Sequence, residues 1–259
     1  MTALTSEASF NLALDTAKRR LTSELPRELV AILGLGGVAR AEFVPRWSDL
    51  DLLVIVDSIT PTLQQRLGYL RRTFNNDNAV RLDIILHSRR EIAASFTARP
   101  LVGSLVLNAL SGRPLTGKVL YGNIELRPLH FEIEREAALH YVSHTTHRLR
   151  KLLLDAFAGD CSEIDALARS IRWMSSLSRC ILRSERVFTP PYEPMLARLQ
   201  ELFPLLDLGP LAQAFAARKE WPDITSPLAH HLLRDLSFLL ERLLVSHATN
   251  FNSSATPPK

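Results

Sequence analysis

Two aspartates separated by one residue, Asp49 and Asp51, stand at the head of the apolar run Leu50, Leu52, Leu53, Val54, Ile55, Val56. Alternate side chains of a β-strand share a face. The pair should therefore project together while Leu50 and Leu52 enter a core. Carboxylates a few Å apart repel and disturb each other's protonation unless a cation lies between them. Hard oxygen donors of this kind suit Mg²⁺, which completes its shell with water and substrate phosphates. Asp83 repeats the pattern by interrupting the run from Val80 to Leu86, where an unpartnered charge is costly. If the two strands are neighbours, the three acids can hold two Mg²⁺ ions about 4 Å apart, stabilising the attacking and leaving oxygens of a displacement at phosphorus. Asp83 is also suited to accept the proton of the attacking hydroxyl.

A glycine pair supplies the complementary half. Gly36 and Gly37 end the apolar run Leu29 to Leu35 and precede a short helical turn. There the backbone can approach a phosphate and aim its N–H groups at it. Arg40 offers a charge-assisted contact to a triphosphate. Ser48 is placed to orient the loop ahead of the acids.

The elements that must position these residues can be read from periodicity and turn chemistry. Phe10, Leu14, Ala17 and Leu21 form one stripe of a helix over about Glu7 to Glu24. Leu29 to Leu35, Asp49 to Val56 and Val80 to Leu86 read as buried strands. Thr60-Pro61 starts a helix reaching about Asn75, and Ser88 with Glu91 has capping-box spacing. From about Arg127 strand signals stop. Helical segments follow at about Leu129 to Ala158, Ser162 to Arg186, Glu193 to Leu202, Leu211 to Glu220 and Pro227 to His247. The expected fold class is an α/β (α+β) domain with a small mixed sheet over 1–125, followed by an all-α antiparallel bundle over 126–249. The polar segment 250–259 reads as a disordered tail.

The string Gly36-Gly37-Val38-Ala39-Arg40-Ala41-Glu42, followed by Ser48-Asp49-Leu50-Asp51 and later by Asp83, resembles the signature of the DNA polymerase beta-like nucleotidyltransferase superfamily. The resemblance covers roughly residues 30 to 87. It is closest to bacterial members with a helical C-terminal domain, similar to aminoglycoside and minimal nucleotidyltransferases. Glycine is usual where Ala41 stands, and alanine there should limit positive backbone torsions. The resemblance implies that an acceptor hydroxyl attacks the α-phosphate of a nucleoside triphosphate and that pyrophosphate leaves. It implies Asp49, Asp51 and Asp83 as catalytic metal ligands, and Gly36, Gly37, Arg40 and Ser48 around an NTP such as ATP. The acceptor class stays open among a small molecule, an RNA end and a protein side chain. The alternative is a regulatory or antitoxin-type module that binds nucleotide without turnover.

Bulk properties narrow the field. A net charge of +4 and a pI near 9.3 suit a phosphate-bearing partner, RNA included. No apolar stretch approaches the roughly 18 residues of a membrane span, and no secretory leader is legible, so the expected location is cytoplasmic. Cys161 and Cys180 are too few for a disulfide framework and are expected to be small buried side chains. Lys118 lacks P-loop spacing and is expected in a turn into an edge strand. Arg135 and His140 match a ribonuclease-like Arg-x4-His spacing that one chance pairing explains equally well. Tyr141, His144 and His147 are expected at a domain interface. Leu152, Leu153 and Phe157, with Leu232, Leu236, Leu239 and Leu243, are expected in the core.

Overall fold

The structure, a computed structural model, describes residues 6–44, 47–96, 104–113, 115–126, 130–187, 192–218 and 221–254. It divides into two compact units, Met1–Glu134 and Arg135–Lys259.

Local chemistry sets the elements of the first unit. Helix α1 (Glu7–Glu24) starts where the Ser6 hydroxyl accepts from the Ser9 amide, and it buries Phe10, Ala13, Ala17 and Leu21. Strand β1 (Leu29–Gly34) is followed by the single turn α2 (Gly36–Arg40) and by β2 (Leu50–Val56). Helix α3 (Pro61–Asp77) is capped by Thr60, with proline in its first turn. After β3 (Leu82–Ser88), helix α4 (Arg89–Ser95) opens with a complete capping box between Ser88 and Glu91. A short helix α5 (Ser104–Leu110), absent from the sequence pattern, precedes β4 (Lys118–Gly122). Lys118 thus opens an exposed strand.

The four strands form one mixed sheet in the order β3-β2-β1-β4. Strand β1 pairs antiparallel with β2 and β4, while β2 and β3 run parallel. Leu50, Leu52, Val54 and Val56 of β2 and Leu82 of β3 join one core with α1 and with Leu63, Leu67, Leu70 and Phe74 of α3. Alternation therefore turns Asp51 and Asp83 to the opposite face of the sheet.

The described elements of the second unit are all helical. They are the remainder of α6 (Phe131–Phe157), α7 (Glu163–Ser184), α8 (Tyr192–Leu202), α9 (Gly209–Ala217) and α10 (Ser226–Ser254), with one 3-10 turn at Trp221–Asp223. Helix α7 is the spine, burying Leu167, Ile171, Met174, Leu177 and Ile181 along its length. Helices α6 and α10 run antiparallel, since Arg150 pairs with Glu241 and Phe157 packs edge-on to His230. Arg148 lies over the Trp173 ring, 5.0 Å from its centroid. Leu152, Leu153, Leu232, Leu236, Leu239 and Leu243 are buried, but Phe157 is an exposed aromatic and not a core residue. Tyr141 is half-buried, and desolvation pushes its hydroxyl above the ordinary range, whereas His144 and His147 are exposed. Cys180 is a buried free thiol and Cys161 a half-buried one. Helix α10 continues past Asn250, where the polar tail was expected to begin, to Ser254. Residues 255–259 lie outside the described set.

The first turn of α6 belongs to the first unit and is tied to it by a forked ion pair. Both guanidinium nitrogens of Arg113 reach Glu134, with Nη2 donating to Oε2 at 2.7 Å, and the Glu134 side chain is only 5% exposed. Arg113→Ala leaves that carboxylate buried without its main counter-charge. Denaturant unfolding of the variant should show a loss of about 3 kcal/mol, and a loss near zero would mean that Glu134 is hydrated instead.

Candidate active site

Strands β2 and β3 pair in register from Leu50↔Leu82 to Val56↔Ser88, and this sets Asp51 directly beside Asp83. Adjacent strands lie about 4.8 Å apart, so the two carboxylates share a face on neighbouring backbones. Asp49 sits one residue ahead of β2, next to the Leu50 amide that donates to the Arg81 carbonyl. Other acids in this region are engaged elsewhere. Asp77, at the end of α3, pairs with Arg20, and Asp57 faces Arg89.

The glycine turn lies against this pair. The Leu35 amide donates to the Asp51 carbonyl at 2.9 Å, bringing the start of α2 alongside β2. Gly36 has φ +50°, and a Cβ there would stand 3.0 Å from Oδ2 of Asp51. The left-handed torsion favours glycine there, and a Cβ would add a tight contact with that carboxylate oxygen. A Cβ on Gly37 would meet the Glu42 carbonyl at 2.8 Å, and the Glu42 amide donates to the Gly37 carbonyl to close the turn. Ala41 closes α2 in the left-handed region, φ 51° and ψ 41°, with its amide on the α2 carbonyls. The alanine therefore adopts the torsion it was expected to avoid, because the Gly37–Glu42 closure dictates a left-handed residue at that point.

Arg40 and Ser48 have local partners. Arg40 Nε donates to Glu42 Oε2 at 2.9 Å, and the arginine side chain is 15% exposed. The Ser48 hydroxyl accepts from the Val44 amide at 2.8 Å and orients the segment entering Asp49.

Two residues outside the sequence pattern bear on this part of the sheet, one touching Asp83 and one farther along β3. Arg71, on α3, donates through Nη1 to Oδ1 of Asp83 at 3.3 Å. Strand β3 is the sheet edge, so a helix on the opposite face can reach around it. His87 follows Asp83 by four residues in β3 and so shares its face, a placement that parity alone could have found. Its Nδ1 lies 3.6 Å from Oε2 of Glu91, an ion-pair rather than hydrogen-bond distance. Burial lowers the His87 pKa and outweighs the attraction of Glu91. Glu91 is itself held below the usual carboxylate range, chiefly by the Ser88 amide.

Among the described residues, no group of three or more His, Cys, Asp and Glu side chains is gathered closely enough to hold a metal ion. What the site does offer is a pair of hard oxygen donors in register, with a glycine cradle on Oδ2 of Asp51 that any Cβ would fill. That donor set fits one Mg²⁺ ion, which ordinarily takes one or two carboxylates.

The comparisons with known proteins come from structure. No protein-family model matches the chain, and no curated protein does. A solved structure of spectinomycin adenyltransferase AAD(9) from Enterococcus faecialis, with ATP and spectinomycin, aligns at a TM-score of 0.56 and 16% identity. That alignment covers 89% of this chain and 99% of that one. A nucleotidyltransferase-like protein from Exiguobacterium sibiricum aligns at 11% identity over 91% and 77% of the two chains, with a TM-score of 0.28 that is too low to carry an argument. The chain has a nucleotidyltransferase-type fold.

His87 gives the site unit a pH signature. A histidine whose folded pKa lies below its ordinary 6.5 binds fewer protons folded than unfolded, so stability falls as pH drops below about 6.5 and levels off under the lowered folded value. Melting temperature measured from pH 7.5 down to 5 should fall more shallowly in His87→Gln than in wild type. Parallel curves would contradict the burial of a neutral imidazole.

Proposed function

We propose that this chain is a metal-dependent nucleotidyltransferase that moves a nucleoside monophosphate from an NTP to an acceptor hydroxyl and releases pyrophosphate. The observation that carries this reading is the in-register placement of Asp51 and Asp83 beside the left-handed Gly36 turn. A nucleotidyltransferase-type fold supports it, and ATP, held by the similarly folded adenyltransferase, is the first triphosphate to test.

Each residue then has a task. Asp51 and Asp83 would hold a Mg²⁺ ion from neighbouring strands, with Asp49 one residue ahead of β2. When bound, the ion would draw charge from the phosphate oxygens and ease departure of pyrophosphate. Gly36 and Gly37 let the backbone of the α2 turn come close to the triphosphate, where any side chain would intrude. Arg40 is braced by Glu42 at the end of that turn, within a segment suited to phosphate. Ser48 fixes the backbone leading into Asp49. The acceptor oxygen bonds to the α-phosphorus as the bond to the bridging oxygen of pyrophosphate breaks. The acceptor's proton passes to the Asp83 carboxylate.

The acceptor is a hydroxyl compound, and its class is open among small molecules, RNA ends and proteins. A basic chain of pI near 9.3 is poorly matched to a polycationic acceptor.

Purified protein supplied with Mg²⁺, labelled ATP and a cell extract should label an acceptor and release pyrophosphate. Asp51→Asn should lower that release by at least about a hundredfold, with the melting temperature nearly unchanged because the replaced carboxylate is half-exposed. Equal activity in Asp51→Asn would remove this site from the chemistry. Nucleotide-dependent stabilisation with no pyrophosphate would favour a binding module instead.

A further inference from the structure

Asp83 has been assigned to a cation, yet in the structure its carboxylate already has one. The Arg71 guanidinium donates to it at 3.3 Å, with the two side chains 48% and 44% exposed. A carboxylate oxygen engaged by an arginine is a poorer donor to Mg²⁺, because the ion must displace the guanidinium or share its lone pairs. Without an ion, Asp51 and Asp83 are like charges directly opposite on adjacent strands, an arrangement that destabilises a sheet. Arg71 relieves this from outside the sheet by reaching around the β3 edge. Its neighbour Arg72 instead stacks over Tyr69, 5.6 Å from the ring centroid, so the two adjacent arginines of α3 differ in what they neutralise.

We infer that Arg71 is a positioning residue that holds Asp83 in the ion-free protein and competes with the divalent ion for it, so that the metal set is completed only when Arg71 is displaced. The exchange moves no covalent bond. One cation replaces another on the same carboxylate, and the guanidinium turns to solvent, which its half-exposure permits. This inference rests on the metal-site reading above, and its test separates the two.

Mn²⁺, a spectroscopic stand-in for Mg²⁺, is titrated into the nucleotide-free protein, and free ion is read by electron paramagnetic resonance. Exposed ion pairs are weak, so Arg71→Ala should tighten Mn²⁺ binding by about two- to fivefold. Arg71→Lys, which keeps the charge, should lie between it and wild type. Arg72→Ala removes the same charge from the next position and should leave the affinity near wild type. In an Asp83→Asn background, Arg71→Ala should have no further effect, because the shared partner is gone. If Arg71→Ala matches wild type, or if Arg72→Ala tightens binding equally, the competition is refuted, while loss of binding in Asp51→Asn would still uphold the metal site. If no variant and no wild-type sample binds Mn²⁺ with or without ATP, both the competition and the metal-site reading fall.

Discussion

Two like charges placed side by side on neighbouring strands are what the first unit has to be built around. The β2–β3 register sets Asp51 beside Asp83, and at a spacing of about 5 Å their mutual repulsion is roughly 1 to 3 kcal/mol at effective dielectrics of 80 to 20. Arg71 offsets part of this at the β3 edge, and the firmly buried other face of the same strands holds the register. Leu50, Leu52, Val54 and Val56 are fully excluded from solvent and pack with Leu82 against α1 and α3. A slip of one residue in β3 would carry Leu82 out of the core and the acid into it. The apolar face therefore enforces the polar one.

The same burial explains the local devices around the acids. Gly36 is left-handed where the Leu35 amide is held on the Asp51 carbonyl, and a Cβ there would stand in tight contact with Oδ2 of Asp51. Ala41 accepts an unfavourable torsion because the Glu42 amide closes on Gly37. On β3, Ser88 ends the strand and caps α4, and its amide holds Glu91 near His87. Of these contacts only the Leu35–Gly36 segment touches the acid pair, and the Arg71 pair at the sheet edge is a polar contact between exposed side chains.

How much of this was legible depends on how local the cause is. Helices α3 and α4 carry their own caps at Thr60 and Ser88, and their starts followed from residues within one turn, whereas α1 followed from its apolar stripe. Asp51 and Asp83 were each legible because each interrupts an apolar run, but that their strands are neighbours was only a condition in the sequence and comes from the β2–β3 register. Arg71 was not, since an arginine on α3 looks like any solvated helix residue until β3 is known to be the sheet edge. Helix α5, seven residues long, is too short for its periodicity to distinguish it from a buried strand. Phe157 looked like core by its spacing, but it lies at the end of α6, edge-on to His230 and 45% exposed.

The account comes down to whether a divalent ion and a triphosphate meet at the Asp51–Asp83 pair beside the Gly36 turn. Crystals grown with Mn²⁺ and a non-hydrolysable ATP analogue would decide it through the anomalous signal of the metal. The expected result is a peak in the coordination shell of an Asp51 carboxylate oxygen, bridged to the triphosphate, with the phosphates against the Gly36–Gly37 backbone. A metal and nucleotide bound together elsewhere on the chain, with Asp51 outside that shell, would contradict it.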